Sequence, residues 1–370
     1  MNDFGSPHID DATARANPPA KLNLFLELLG RRPDGFHEID TVMVPIDLCD
    51  DLRIRVVNRP GVSLAAEWLP SNDQFASILG LDPTSAATEE ILAIPCDDRN
   101  LVCRALNLFS SFFGLTGGFD VVLGKRIPAG AGMGGASSDA AAAILCAAEL
   151  HGLRDRTADL HHIAAQIGSD VPFFLGSRVP PGPNDTGGSI SAIQAGRATG
   201  RGEKIEPLEL LRPLNFVVVY PAHVLSTAKV FAKSVIPDQP CSSAGVTAAL
   251  GSGNLEKLSA ALLNRLSNPA AEIVPRIDEI LKSMWQTELS SCQLTGSGSA
   301  CFGLAGSAEI ASRAAGELIA RLIPANNLIQ PVPQPERAED DTIINQPSGG
   351  ALILTTQTTS VPTKIFLSRD

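Results

Sequence analysis

The chain has 370 residues, 44% of them hydrophobic and 19% charged, which is enough for two domains that each bury an apolar core. Twenty-nine basic residues against forty acidic ones give a formal charge of −11, a balance that speaks against a general binder of nucleic acid or anionic membrane. The longest apolar runs, such as Ala140 to Ala148, fall far short of a membrane span.

In chain order, MNDFGSPHIDDATARANPP is polar and acidic and has no signal-peptide core. The seven cysteines (Cys49, Cys96, Cys103, Cys146, Cys241, Cys292 and Cys301) are scattered without CxxC spacing, as expected of buried thiols in a reducing, cytoplasmic setting. His161 and His162 are the only adjacent histidines, and no HxxxH zinc signature exists. AKLNLFLELLG reads as a strand with Lys21, Asn23, Phe25 and Glu27 on one side and Leu22, Leu24 and Leu26 on the other. Pro33-Asp34-Gly35 then predicts a hairpin turn, and TVMVPIDLCDDLRIRVV two further short strands. Residues 58–98 read as an irregular loop with a weak helix. Asn100 to Gly114 predicts a helix, with Leu101, Ala105, Leu108 and Phe112 on one face and Gly114 as its C-cap.

GFDVVLGKRIP predicts a strand running into Gly130–Gly135, which spell GxGxxG, and an alanine-rich helix follows. Ser137 or Ser138 offers that helix an N-cap hydroxyl. A second helix is expected over Leu153–Ile167, then GSDVPFFL, then a Gly/Pro/Ser-rich inserted stretch from 176 to 200. NFVVVYP reads as a buried strand opening a second half. There, helices over Pro275–Trp285 and Ala308–Leu322 flank CQLTGSGSACFGLAG, a strand, a glycine turn and a strand. The last forty residues read as a tail with a hairpin between ALILTT and TKIFL. No internal repeat is visible, and hairpins interleaved with helices predict an α+β fold. The expected boundaries are a polar tail 1–17, a first domain 18–178, an inserted loop 179–199, a second domain 200–330 and a C-terminal extension 331–370.

By itself GxGxxG is a weak signal. No strand ending in an acidic residue follows at the Rossmann distance, no VAIK or HRD accompanies it, and Gly124-Lys125-Arg126 fails as a Walker loop. Four glycines (Gly130, Gly132, Gly134, Gly135) allow positive φ and close approach to a ligand, and a helix N-terminus suits an anion. A phosphate cradle and a tight packing turn both fit. Asp139 would complement the helix dipole yet repel a phosphate beside it.

PAKLNLFLELLGRRPDGFHEIDTVM, IPAGAGMGGASSDAAAA, IGSDVPFFL and LTGSGSACFGL, in this order between Pro18 and Ile329, resemble the GHMP kinase superfamily. The resemblance implies a two-domain α+β fold, with a ribosomal S5 domain 2-like N-terminal domain, a ferredoxin-like C-terminal domain and the active site in the cleft between them. It also implies transfer of the γ-phosphoryl group of ATP to an alcohol. PAKLNLFL, DGFHE and GSDVPFF match the branch that phosphorylates the 2-hydroxyl of 4-diphosphocytidyl-2-C-methyl-D-erythritol, a step of the non-mevalonate route to isoprenoid precursors.

Residue by residue, the resemblance makes Lys21 and Asp170 catalytic. An alcohol is a poor nucleophile, so a carboxylate must take its proton, and a neighbouring ammonium keeps that carboxylate ionised. Pro128, Ala129, Gly130, Ala131, Gly132, Met133, Gly134, Gly135, Ala136, Ser137 and Ser138 would cradle ATP phosphates bridged by Mg²⁺. Ser138, Asp139 or water alone are the open choices for the metal. Gly296, Ser297, Gly298 and Ser299 form a second glycine loop near the site, or a plain hairpin turn. Phe36, where the family often has tyrosine, would stack on cytosine, His37 would read the base edge, Phe231 would close the sandwich, and Asn23 would orient substrate groups. The segments Ser71–Pro95 and Val179–Ala195 look expanded relative to the family, and the tail after Pro331 has no counterpart in it. A GHMP kinase for homoserine, mevalonate or a sugar, or a silent nucleotide-binding protein on this scaffold, are the alternatives. Partners are expected to be small molecules, with no nucleic acid or membrane, and the protein a monomer or homodimer.

Overall fold

Alternating and continuous apolar runs decide which strands face one core and which face two. The computed structural model describes residues 12–69, 71–82, 84–179, 189–322, 344–348, 351–361 and 363–369. Its first half runs β1 (Ala12–Ala16), β2 (Pro19–Arg31), β3 (His37–Cys49), β4 (Asp51–Val57), β5 (Gly61–Trp68), α1 (Asn72–Ile78), α2 (Ala86–Leu92), α3 (Leu101–Phe113), β6 (Gly118–Lys125), α4 (Gly135–Leu150), α5 (Thr157–Ile167), α6 (Val171–Leu175), β7 (Ser177–Val179), β8 (Ser189–Ser191), β9 (Ala195–Gly200) and β10 (Lys204–Leu208). The second half runs β11 (Asn215–Tyr220), α7 (Thr227–Lys233), α8 (Ala244–Ser252), α9 (Leu255–Ala261), β12 (Leu263–Asn264), α10 (Ser267–Ile273), α11 (Arg276–Met284), β13 (Ser291–Leu294), β14 (Cys301–Ala305), α12 (Ala308–Leu322), β15 (Ile344–Ser348), β16 (Ala351–Gln357) and β17 (Ile365–Arg369). Among the described residues no helix is long and apolar enough to cross a membrane.

Three five-stranded sheets organise the molecule, in the orders β17-β1-β4-β6-β5, β10-β9-β3-β2-β12 and β13-β14-β11-β16-β15. The first sheet packs on α3, α4 and α5, with Phe109, Phe119 and the run Ala140–Ala148 in one apolar cluster. Small alanines let α4 sit enclosed at the centre of that layer, buried on nearly every side. The second and third sheets share another core, where Leu22 and Leu24 of β2 meet Phe216 of β11 and Leu352 of β16. The opposite face of the third sheet carries α10, α11 and α12. With β11, β13, β14 and β16 as its strands and α12 between β14 and β16, the third sheet has the ferredoxin-like arrangement.

Several elements depart from the sequence reading. Residues 58–98 are not irregular: β5 pairs in parallel with β6, and α1 and α2 follow. Because β5 is shallow, with a single buried residue, Trp68, at its end, it lacks the apolar run that marks a core strand. The two short strands expected after the hairpin are the latter part of β3, a thirteen-residue strand that starts at His37, and β4. β2 is not half-exposed either; Lys21, Asn23 and Glu27 are as buried as its leucines, because both sheet faces are covered. Helix α5 starts at Thr157, after a turn in which Arg156 N donates to Leu153 O. Gly134, at φ 72°, caps α4, so neither Ser137 nor Ser138 does so.

The expected C-terminal hairpin does not form. β16 inserts beside β11, from Asn215↔Gln357 to Tyr220↔Leu352, whereas β17 pairs with β1 in the first sheet. The crossing segment is tied at Thr358 N to Leu214 O (3.0 Å) and at Thr359 N to Pro45 O (3.0 Å). A boundary at 330 therefore falls before the last strand of the ferredoxin-like sheet, and a tail ending at 17 contains β1. Of the expected inserted loop 179–199, residues 180–188 lie outside the described residues, as do 1–11 and 323–343, and the remainder carries β8 and most of β9. Cys103, Cys146, Cys292 and Cys301 are buried as expected, while Cys96 and Cys241 are exposed, and none of the seven forms a disulfide.

Candidate active site

β2 delivers Lys21 to the centre of the molecule. Its backbone N–H donates to Met133 O (2.9 Å), and its Nζ donates to Gly132 O (2.7 Å) and to Asn23 Oδ1. Asp170 Oδ2 stands 3.8 Å from the same Nζ. Burial pushes the Lys21 ammonium below its ordinary range, and the Asp170 charge opposes that. Asp170 caps α6, whose five residues are all buried, so the carboxylate is mounted on a rigid turn. Its side chain is 34% exposed against 4% for Lys21, so the carboxylate has an open side.

Asn23 is placed differently from expectation. Its Nδ2 donates to Thr41 Oγ1 (2.9 Å), and its Oδ1 accepts from Lys21 and from Thr295 Oγ1 (3.3 Å). Both ends of the amide are thus engaged within the protein, and Asn23 orients Lys21.

The two glycine loops form one unit. Ser299 N donates to Gly130 O (3.3 Å) and Ala300 N to Ala131 O (3.1 Å). Gly132 has φ +76°, and a Cβ there would lie 2.2 Å from Thr295 O. A Cβ on Gly296 would lie 2.7 Å from Gly132 O and 3.1 Å from Lys21 Nζ. Such approach admits no side chain, so the glycines serve packing and site together. Ser297 Oγ lies 2.8 Å from Thr227 Oγ1, anchoring the first turn of α7, which also carries Phe231.

Behind the loop lies a charged cluster. Lys125 Nζ donates to Asp139 Oδ2 (2.6 Å) and to Asp50 Oδ2, and Asp50 Oδ1 accepts from Ile127 N (2.9 Å). Burial pushes Asp139 up to about 8, against the pull of Lys125 and with the push of Asp50. For Lys125, burial alone would lower the ammonium, but the two carboxylates hold it above its ordinary range. Asp139 Oδ2 is thus committed to Lys125, while Asp139 Oδ1 and the buried Ser138 Oγ have no hydrogen-bond partner. Among the described residues no group of three or more His, Cys, Asp or Glu is placed to hold a metal.

A cavity of about 810 Å³ joins these parts, a size typical of small-molecule sites. Lys21, Asn23, Asp170, Pro128 to Ser137, Gly296 and Ser297 line it, together with Phe36, His37 and Phe231. Ser138, Gly298 and Ser299 do not; Ser299 Oγ donates instead to His223 O. The ring of Phe231 lies 5.2 Å from that of His37, tilted by 39°. Burial, then the Arg31 charge, lowers the His37 pKa. Trp68, Ile94, Pro95 and Arg99 line a further wall, with Trp68 stacked on Phe75 at 4.3 Å.

Residues 100–178 match the model of the GHMP kinases N terminal domain, and residues 246–323 that of the GHMP kinases C terminal domain. A Rhodopirellula baltica protein named 4-diphosphocytidyl-2-C-methyl-D-erythritol kinase is 45% identical over 325 residues, 85% of this chain and 94% of that one. The chain belongs to the GHMP kinases, in the family of the 4-diphosphocytidyl-2-C-methyl-D-erythritol kinases. A crystal structure of 4-(cytidine 5'-diphospho)-2C-methyl-D-erythritol kinase, 29% identical, matches with TM-score 0.62 over 92% of this chain and 98% of that one. Homoserine kinase from Cytophaga hutchinsonii, at 15% identity and TM-score 0.66 over 99% and 100% of the two chains, shares the fold.

Sequence reasoning missed several residues of this GHMP kinase site. Trp68 and Ile94 lie in the stretch read as irregular, although the alternation in GVSLAAEW was a usable signal. Asp50, Lys125 and Thr295 act through partners 14 to 272 residues away, and no spacing rule could have joined them. Arg201, in GRGE, places its guanidinium carbon 5.0 Å from the Phe36 ring centroid.

Proposed function

We propose that this kinase transfers the γ-phosphoryl group of ATP to the 2-hydroxyl of 4-diphosphocytidyl-2-C-methyl-D-erythritol. The observation that carries the reading is one cavity joining the Lys21–Asp170 pair, the glycine loops and the aromatic group Phe36, His37 and Phe231. Asp170 accepts the hydroxyl proton as the oxygen attacks. Lys21, held by Gly132 O and Asn23, stabilises charge on the transferred group. Its oxygen partners favour the protonated ammonium despite burial. The rigid loops hold the phosphates in line, which is most of what phosphoryl transfer asks of a protein.

The loop fits ATP phosphates: backbone at positive φ offers close approach, the N-terminus of α4 favours an anion, and Ser138 Oγ is an unpaired buried oxygen. Mg²⁺ at this loop would neutralise phosphate charge, with Asp139, which lines the cavity and keeps Oδ1 unpartnered, as the side chain available to it and few protein ligands needed. Phe36 supplies a stacking face for cytosine, His37 as neutral imidazole reads the base edge, and Phe231 packs behind His37. A cytoplasmic monomer or homodimer is part of the same proposal.

The test is ADP release with Mg-ATP and purified 4-diphosphocytidyl-2-C-methyl-D-erythritol, with homoserine, mevalonate and galactose as controls. Release that requires the cytidyl substrate is expected. Release supported by a control alcohol instead would overturn the acceptor.

A further inference from the structure

The turn between β9 and β10, Gly200 to Glu203, stands between two parts of the site. Its backbone lies against the carboxylate: a Cβ on Gly202 would come 3.6 Å from Ser169 Cβ and 3.7 Å from Asp170 Oδ1. The turn is itself held, because Arg201 N donates to Glu203 Oε2 (2.6 Å) and Gly202 N to Thr199 O (3.2 Å). The Arg201 side chain reaches the other way, onto the ring of Phe36 at the tip of the β2–β3 hairpin. Its guanidinium faces the ring, and its charge also acts on the Asp34 carboxylate of the same hairpin tip, so ring and carboxylate together hold it there. Phe36 is 52% exposed, and its backbone is pinned by donation to Asp34 Oδ1 (3.1 Å). Without the guanidinium nothing in these contacts would fix its ring.

We propose that Arg201 is the positioning residue of the base platform. Its guanidinium covers one face of Phe36 and leaves the opposite face open for a pyrimidine. The inference rests on the reading of Phe36 as the cytosine stack. A ring ordered before the ligand arrives spares part of the entropy cost of binding, and for one side chain that is worth about three- to tenfold in affinity.

Calorimetric titration of the full chain with cytidine 5'-monophosphate, and separately with a nonhydrolysable ATP analogue, tests this. Arg201→Ala is expected to weaken cytidine monophosphate binding by about three- to tenfold, Arg201→Lys to recover part of the loss, and Arg201→Ala to add little once Phe36→Ala is present. With the cytidyl substrate, Arg201→Ala should raise KM by more than it lowers kcat. Unchanged affinity in Arg201→Ala, or an equal loss in the Phe36→Ala background, would overturn the inference while leaving the substrate reading intact. If the unaltered chain binds the ATP analogue but no cytidine monophosphate, the substrate reading fails and the inference with it.

Discussion

Replacing Lys125 by methionine keeps an unbranched side chain one atom shorter and removes the cation shared by Asp50 and Asp139. Lys125 is 8% exposed, Asp139 3% and Asp50 fully buried, so water cannot take the place of the ammonium. Breaking a buried ion pair on one side costs about 3–5 kcal/mol, since the partner charge stays uncompensated. At about 2.1 cal/mol/K per residue the 370-residue chain shifts by about 1.3 °C per kcal/mol, so the melting temperature should fall by about 4–6 °C. The deficit should also depend on pH. In the unaltered chain burial already lifts Asp139 to about 8, so the folded state keeps a proton that the unfolded chain releases near 4. That contribution is full below about 4 and is lost as pH rises through about 8. Without Lys125 the Asp139 carboxyl is pushed further up, and the variant should lose more at about pH 8.5 than at about pH 5.5. Scanning calorimetry at the two pH values checks this. Melting that matches the unaltered chain, or an equal loss at both pH values, would refute the charge argument.

Asp170→Asn and Lys21→Ala should each cut turnover by about a hundredfold or more while circular dichroism stays native; near-normal rates in folded variants would remove both from the chemistry. Gly132→Ala should weaken binding of an ATP analogue and lower the melting temperature, because its Cβ would lie 2.2 Å from Thr295 O at φ +76°; a variant indistinguishable from the parent would show that the two loops can separate. The alkaline limb of kcat/KM should fall below the ordinary lysine value of about 10.5, since burial lowers the Lys21 ammonium and activity is lost as that proton leaves. A limb at or above that value would mean the charge on Lys21 is not required.

Much of the fold was legible because its signals are local. The helix Leu101–Phe113 and its Gly114 cap, φ 66°, were legible within fourteen residues, but its buried face is Val102, Ala105, Leu106 and Phe109; of the expected face only Ala105 is buried, and Phe112 is exposed. Ala308–Leu322 and the β2–β3 turn are equally self-contained. β5 was hidden because a shallow strand on a sheet edge needs little apolar surface, and β16 and β17 because adjacency in sequence suggested a hairpin that tertiary pairing overrides. The proposed catalytic pair, Lys21 and Asp170, was legible only through resemblance: one lysine in a strand and one aspartate before a short helix suggest no chemistry until the fold sets them 3.8 Å apart.

By itself, the sequence determined the α+β class and the glycine loop leading into α4, because propensity, turn chemistry and motif are properties of neighbouring residues, while Lys21, Asp170, Phe36, His37 and Phe231 stood out only by resemblance. Only the tertiary structure decided that Asn23 serves Lys21, that the second glycine loop braces the first, that Asp50 and Lys125 stand behind them, and that the final strands divide between two sheets. Those outcomes depend on contacts between residues far apart in the chain. Such contacts form where burial leaves a polar group or a sheet edge in need of a partner, whatever its distance in sequence.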